Sequence, residues 1–184
     1  KLNEAWGQQV LVDNRPGGNT VIGTEVVAKS VADGYTMLWI AAAFVTAPGL
    51  MSALPYDTIK DFDGVATIFT ARQVLVINPS LPAANLAEIV ALAKASPKKF
   101  FYGTSGNGHA FHMLTELVSR QAGIEMVAVP YKGNGPAQTG MLAGDVQVMV
   151  AASGAVRSHV QAGRMKALAT LQSTRLDSFP DVPT

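Results

Sequence analysis

Ser105, His109, His112 and Glu116 are the residues whose types and spacing could do chemistry, and all four fall within one stretch of a 184-residue chain. Ser105 stands in Gly103-Thr104-Ser105-Gly106-Asn107, which departs from a G-x-S-x-G nucleophile elbow where Asn107 occupies the second glycine position. The strained elbow is less accessible to asparagine, and no Asp/His pair follows in a convincing context. An α/β hydrolase-like enzyme using Ser105 and His109 is therefore kept as the alternative reading. His109, His112 and Glu116 would share a helical face, yet His-x-x-His without a third ligand of fixed geometry is poor evidence for a metal. No carboxylate dyad and no nucleophile–base pair stands out, so no catalytic residue, metal or cofactor is expected. The site looks made for holding, not for reacting.

What it could hold is an anion. An apolar strand end, Phe100-Phe101-Tyr102, runs into Gly103-Thr104-Ser105-Gly106-Asn107-Gly108-His109, and a helix follows with Ala110, Leu114, Leu117 and Val118 at i, i+4, i+7 and i+8. The first turn of a helix carries N–H donors without intrahelical partners, which favour negative charge. Thr104 and Ser105 add hydroxyls, while Gly106 and Gly108 allow positive φ or a close ligand. The same stretch reads equally as a tight turn with glycines for chain reversal. Gly106-Asn107-Gly108 begins like a dinucleotide fingerprint, but Phe111 stands where the third glycine belongs.

The elements that must position this turn are set by the rest of the chain. Hydrophobic residues make up 48% and charged residues 15%, which describes a globular chain and not a disordered one. Net charge is +1, with no basic run longer than Lys98-Lys99, so no nucleic-acid partner is expected. Met37 to Val45, the longest apolar candidate, is far too short to span a membrane. Cysteine is absent, which excludes disulfides and thiolate chemistry.

Lys1 to Gly7 reads as the end of a helix with Gly7 as its cap, and the chain closes in the Pro-rich Ser178–Thr184 segment. A fragment of a longer protein is expected. Strands are expected at Gln9–Val12, Tyr35–Ala42, Gly64–Phe69 and Val74–Asn78, with a helix from about Thr20 to Ser30. Ala41 to Pro48 is small and apolar, as a pocket wall or a plain buried loop would be. Asn85 and Glu88 have capping-box spacing ahead of a helix with Leu86, Ile89, Val90 and Ala93 on its buried stripe.

From 86 to 171 helices and strands alternate, which predicts a mostly parallel sheet covered on both faces. Three small-residue turns, after Tyr102, Val129 and Val150, lie at strand carboxyl ends, where such sheets bind ligands. The second carries Lys132, either a solvated turn lysine or a charge facing the crevice. Pro136 suits the first position of the helix that follows. The third contains Ala152 and Ser153.

Read together, several segments resemble one family. Val12-Asp13-Asn14-Arg15-Pro16-Gly17-Gly18-Asn19, Ala32-Asp33-Gly34-Tyr35-Thr36, Leu54-Pro55-Tyr56-Asp57, Tyr102 to Gly108, Val129-Pro130-Tyr131-Lys132-Gly133 and Pro180 to Thr184 are similar to the substrate-binding proteins of tripartite tricarboxylate transporters, the Bug or TctC-like receptors. The resemblance implies an α/β, type II periplasmic-binding-protein-like fold of two lobes, parallel-rich sheets flanked by helices, truncated here at both ends. It implies lobes at 1–78 and 79–168, with 169–184 returning to the first. It implies a periplasmic monomer that hands a small carboxylate to the membrane permease subunits of a transporter.

The implied ligand-binding residues are Thr104, Ser105, Gly106, Asn107, Gly108 and His109, with Ala43 and Phe44 from a first-lobe contact loop, and Lys132, Ala152 and Ser153. Family members often carry Asp-Ser after the strand ending at Val150. Ala151-Ala152 stands there in this chain, which removes a partner for a ligand amine or hydroxyl.

Overall fold

The computed structural model describes residues 2–184. The chain divides into two compact units, 1–63 and 64–184. The division falls at Asp63/Gly64, whereas the sequence reading divides at Asn78/Pro79. The difference lies in residues 64–78, which include a strand of the second unit's sheet, and in the C-terminal residues, which pack on that same unit.

The second unit is built on five strands: β1 (Gln73–Ile77), β2 (Phe101–Thr104), β3 (Val127–Pro130), β4 (Val148–Ala152) and β5 (Lys166–Thr170). Their order is β3-β2-β4-β1-β5. β2 runs parallel to both β3 and β4, while β1 is antiparallel to both β4 and β5. Four strands therefore point one way and β1 is threaded between two of them in reverse. The mostly parallel sheet expected from the helix–strand alternation is present. The reversed central strand is not visible in that alternation.

Val74, Val76, Met149 and Ala151 face one side of the sheet, and Leu75, Ile77, Val148 and Val150 the other, as the period of two requires. Both sides are covered. On the first lie Ala137 and Met141 of α6 (Asn134–Ala143), Val156 of α7 (Ser153–Gln161), and Leu176 and Phe179 from the C-terminal segment. On the second lie Ile89 of α4 (Leu86–Ala95) and Phe111 of α5 (Ala110–Ala122), with Tyr102 beneath them. Continuous apolar strands such as Val74–Ile77 are the signature of a sheet buried on both faces.

Local signals set the helix ends. Asn85 Oδ1 accepts the Glu88 N–H at 3.0 Å, and Glu88 Oε2 in turn accepts the Ala84 N–H at 2.6 Å, so the expected capping box forms one residue wider than its usual form. Pro136 is the third residue of α6 and not the first, because the cap falls on Gly133. The C-terminal segment is tied to the sheet edge by Thr170 N–H donating to Pro183 O at 2.7 Å.

The first unit holds α1 (Leu2–Trp6), α2 (Val21–Ala28) and α3 (Ala43–Leu50). Of the helix end expected at the N-terminus, Lys1 lies outside the described residues. The strands expected at Gln9–Val12 and Tyr35–Ala42, and at Gly64–Phe69 in the second unit, do not form. A strand exists through backbone partners, and none of these segments is paired in a sheet. Tyr35 is consequently 91% exposed and Val12 82%. Ala43–Leu50 is a helix where the sequence leads one to expect a pocket wall or a plain buried loop. In this unit Phe44, Tyr56 and Phe62 form an aromatic cluster, the Phe44 and Phe62 rings meeting edge to face at 5.1 Å.

Candidate functional site

Because β3, β2 and β4 are adjacent and parallel, their carboxyl ends lie on one edge of the sheet. Neighbouring strands are about 4.8 Å apart, so the three turns span roughly 10 Å. The turn after β2 leads to α5 on one face, whereas the turns after β3 and β4 lead to α6 and α7 on the opposite face. Connections that part to opposite faces open a crevice at the strand ends, and β2 has such a point on each side. The 105–109 turn is therefore flanked by two openings.

Within that turn, the Thr104 hydroxyl donates to Gly106 O at 3.0 Å, and Thr104 O accepts the Tyr131 N–H at 2.8 Å, which ties the first turn to the second. Gly106 and Gly108 both have positive φ, +136° and +73°, as their type allows. The His109 N–H is used by Gly106 O at 3.2 Å, and the Gly108 N–H by His112 Nδ1 at 2.9 Å. The amides of Ser105, Gly106 and Asn107 take no part in the backbone hydrogen bonding of the turn. The Ser105 Oγ is buried and has no hydrogen-bond partner among the described residues. A buried hydroxyl without a partner costs roughly 1–3 kcal/mol, which a ligand oxygen would relieve.

His109 caps α5, its Nδ1 facing the Phe111 N–H at 3.5 Å, and burial holds its pKa below the ordinary value. The Tyr102 hydroxyl donates to Glu116, and burial first, then that carboxylate, pushes the phenol pKa upward. His109, His112 and Glu116 are thus each engaged separately. Among the described residues no group of three His, Cys, Asp or Glu is placed to hold a metal.

At the neighbouring turns, Lys132 is exposed between β3 and α6, Ala152 ends β4, and Ser153 opens α7. The Ser153 N–H donates to Arg72 O at 2.7 Å. A cavity of about 350 Å³ lies there, lined by Thr70, Ala71, Arg72, Ala152, Ser153 and Gly154 together with Phe69. Arg72 was missed by sequence reasoning. It reaches this edge only because β1 runs antiparallel and so begins where β4 ends. Its guanidinium has no ion-pair partner among the described residues.

A larger cavity, about 680 Å³, lies in the first unit between Pro48, Met51, Leu54 and Tyr56–Ile59, and contains none of the sequence-predicted residues. Ala43 and Phe44 open α3 in that unit. Ala43 is only 1% exposed and the Phe44 ring is packed on Tyr56 and Phe62, so both side chains are occupied within their own unit.

The whole chain, residues 1–184, matches the family model described as the tripartite tricarboxylate transporter family receptor, TctC. The protein BugT of Bordetella pertussis (strain Tohama I) is 39% identical over 185 residues, covering all of this chain and 57% of BugT. A UPF0065 protein of Bordetella bronchiseptica is 34% identical and is spanned over 55% of its length. Among solved structures, an R. palustris protein with adipate superposes with a TM-score of 0.95 at 32% identity, and the periplasmic binding protein BugD with 0.92 at 27%. Each covers all of this chain, which spans 62% and 61% of them respectively.

The chain belongs to the TctC/Bug receptor family and has its α/β periplasmic-binding-protein fold. It spans little more than half the length of the curated relatives it matches.

Proposed function

We propose that the protein carrying this chain is a periplasmic solute receptor that holds a small carboxylate and presents it to the permease of a tripartite tricarboxylate transporter, without chemistry on the ligand. The observation that carries the reading is the turn after β2: free amides at 105–107 and the unpartnered Ser105 Oγ, at the N-terminal end of α5 and between two points where the chain parts to opposite faces. Oriented amides and a helix dipole hold a carboxylate without requiring a buried countercharge. The proposed contacts are Thr104 to His109, Lys132, Ala152 and Ser153. Arg72 joins them as a cation on the same edge, suited to a second carboxylate of a linear dianion. The adipate in the R. palustris relative supports that ligand class. Ala43 and Phe44 are left out, since their side chains are occupied elsewhere. Action without nucleic acid is in keeping with the chain's near-neutral charge.

The hydrolase alternative needs a hydrogen bond from Ser105 to His109. The Ser105 Oγ makes none, and His109 Nδ1 is turned to the Phe111 N–H. A serine-directed phosphonate should therefore leave the whole protein unlabelled.

Calorimetric titration of the whole protein with adipate and shorter dicarboxylates tests the receptor reading, and silence across the series would reject it. Ser105→Ala should weaken binding by about 0.5–1.5 kcal/mol, the worth of one hydrogen bond. An unchanged affinity would remove Ser105 from the site.

A further inference from the structure

We infer that His109 and His112 form a capping box made of two imidazoles, in which His112 is a positioning residue that fixes the shape of the 105–109 turn. The inference rests on reading that turn as the carboxylate holder. The molecule contains its own reference for the geometry. At α4 the N-cap is Asn85, and the residue three places on, Glu88, reaches back to the N–H of Ala84, just before the cap. At α5 the N-cap is His109, and the residue three places on, His112, reaches back to the N–H of Gly108, just before the cap. Both N-cap side chains also turn back to their own helix, Asn85 Oδ1 accepting the N–H three residues on at 3.0 Å and His109 Nδ1 facing the N–H two residues on, Phe111, at 3.5 Å. The His-x-x-His spacing that could suggest a metal is thus the spacing of a capping box.

His112 accepts at Nδ1, so its proton is on Nε2. The ring has little freedom to turn away. It stacks on Tyr102 with centroids 6.1 Å apart and an interplanar angle of 19°, and the Tyr102 hydroxyl is held by Glu116 one turn along α5. The titratable groups around it are Tyr102 from β2 and His109 and Glu116 from α5 itself. β4, also packed on α5, carries none between Val148 and Ala152.

The variants His112→Asn and His112→Leu test this. The Oδ1 of asparagine stands where Nδ1 stood and accepts the same N–H. Amide exchange at Gly108, followed by NMR without ligand, should show protection in the wild type and the asparagine variant and loss of protection in the leucine variant. Adipate affinity should fall about 5- to 10-fold in the leucine variant and stay within about 2-fold in the asparagine variant.

Equal exchange at Gly108 in wild type and leucine variant would overturn the inference. Should the leucine variant fail to fold, the asparagine variant decides alone, and an unprotected Gly108 amide there would overturn it. Should the wild type bind no carboxylate, the receptor reading fails while the exchange measurement still judges the box.

Discussion

The two units carry apolar runs of the same kind and make opposite use of them. In the second unit Val148–Ala152 is a central strand, paired on both sides and buried between two layers of helix. In the first, Tyr35 to Ala42 is as apolar as a strand and joins no sheet, leaving Tyr35 in solvent. The contrast teaches that an apolar run specifies a wish to be covered and not a strand. Which form it takes depends on whether partner backbone is present, and that is decided far away in sequence.

The largest effect expected from this contrast is in the core of the sheet. Met149→Ala, at a side chain with 0% exposure, should destabilise the second unit by about 2–5 kcal/mol in chemical denaturation, through lost burial and a residual cavity. Tyr35→Ser should stay within about 0.5 kcal/mol. Comparable losses for the two would break the comparison.

A smaller effect sharpens it at the helix starts. Asn85→Ala removes a side-chain cap and should cost about 1 kcal/mol. Thr20, the N-cap of α2, makes no capping bond and sits at φ +77°. Thr20→Gly should leave stability unchanged or raise it, since a β-branched residue is strained there. A thermal melt of each variant decides.

The smallest effect is on pH. All three histidines of the chain lie in the second unit. Burial lowers the pKa of His109 below 6.5, so the folded chain takes up this proton less readily than the unfolded one. Stability is whole above the ordinary histidine value and declines as the pH falls below it. His109→Asn should flatten that decline in a pH series of denaturation curves, and a slope identical to wild type would remove His109 as its source.

The sequence shows the second unit best where its signals are local. Asn85 with Glu88, glycines after α5 and α6, and small residues after β2, β3 and β4 mark element ends within a few residues of where they occur. The edge on which the three turns gather follows from the alternation of helix and strand. What is illegible depends on pairing between distant segments. The reversed direction of β1 cannot be read from Gln73–Ile77, and Arg72 reaches the site edge only through that reversal. The three runs that join no sheet look like strands for the same reason. The His-x-x-His spacing is visible, but the Gly108 N–H that His112 takes up is not, because ring orientation is set by Tyr102 beneath it.

The insertion of β1 between β4 and β5 has a consequence for how the molecule comes into being. Val74 ends beside Ala151 on one side and Thr170 on the other, both made long after it during synthesis. Until β4 and β5 arrive, this apolar strand has no flank to join, and closing such long loops is slow. For that interval the nascent chain offers a sticky, unmatched ribbon to any other it meets. Escort of the newborn chain thus matters more here than in a sheet laid down strand by neighbouring strand.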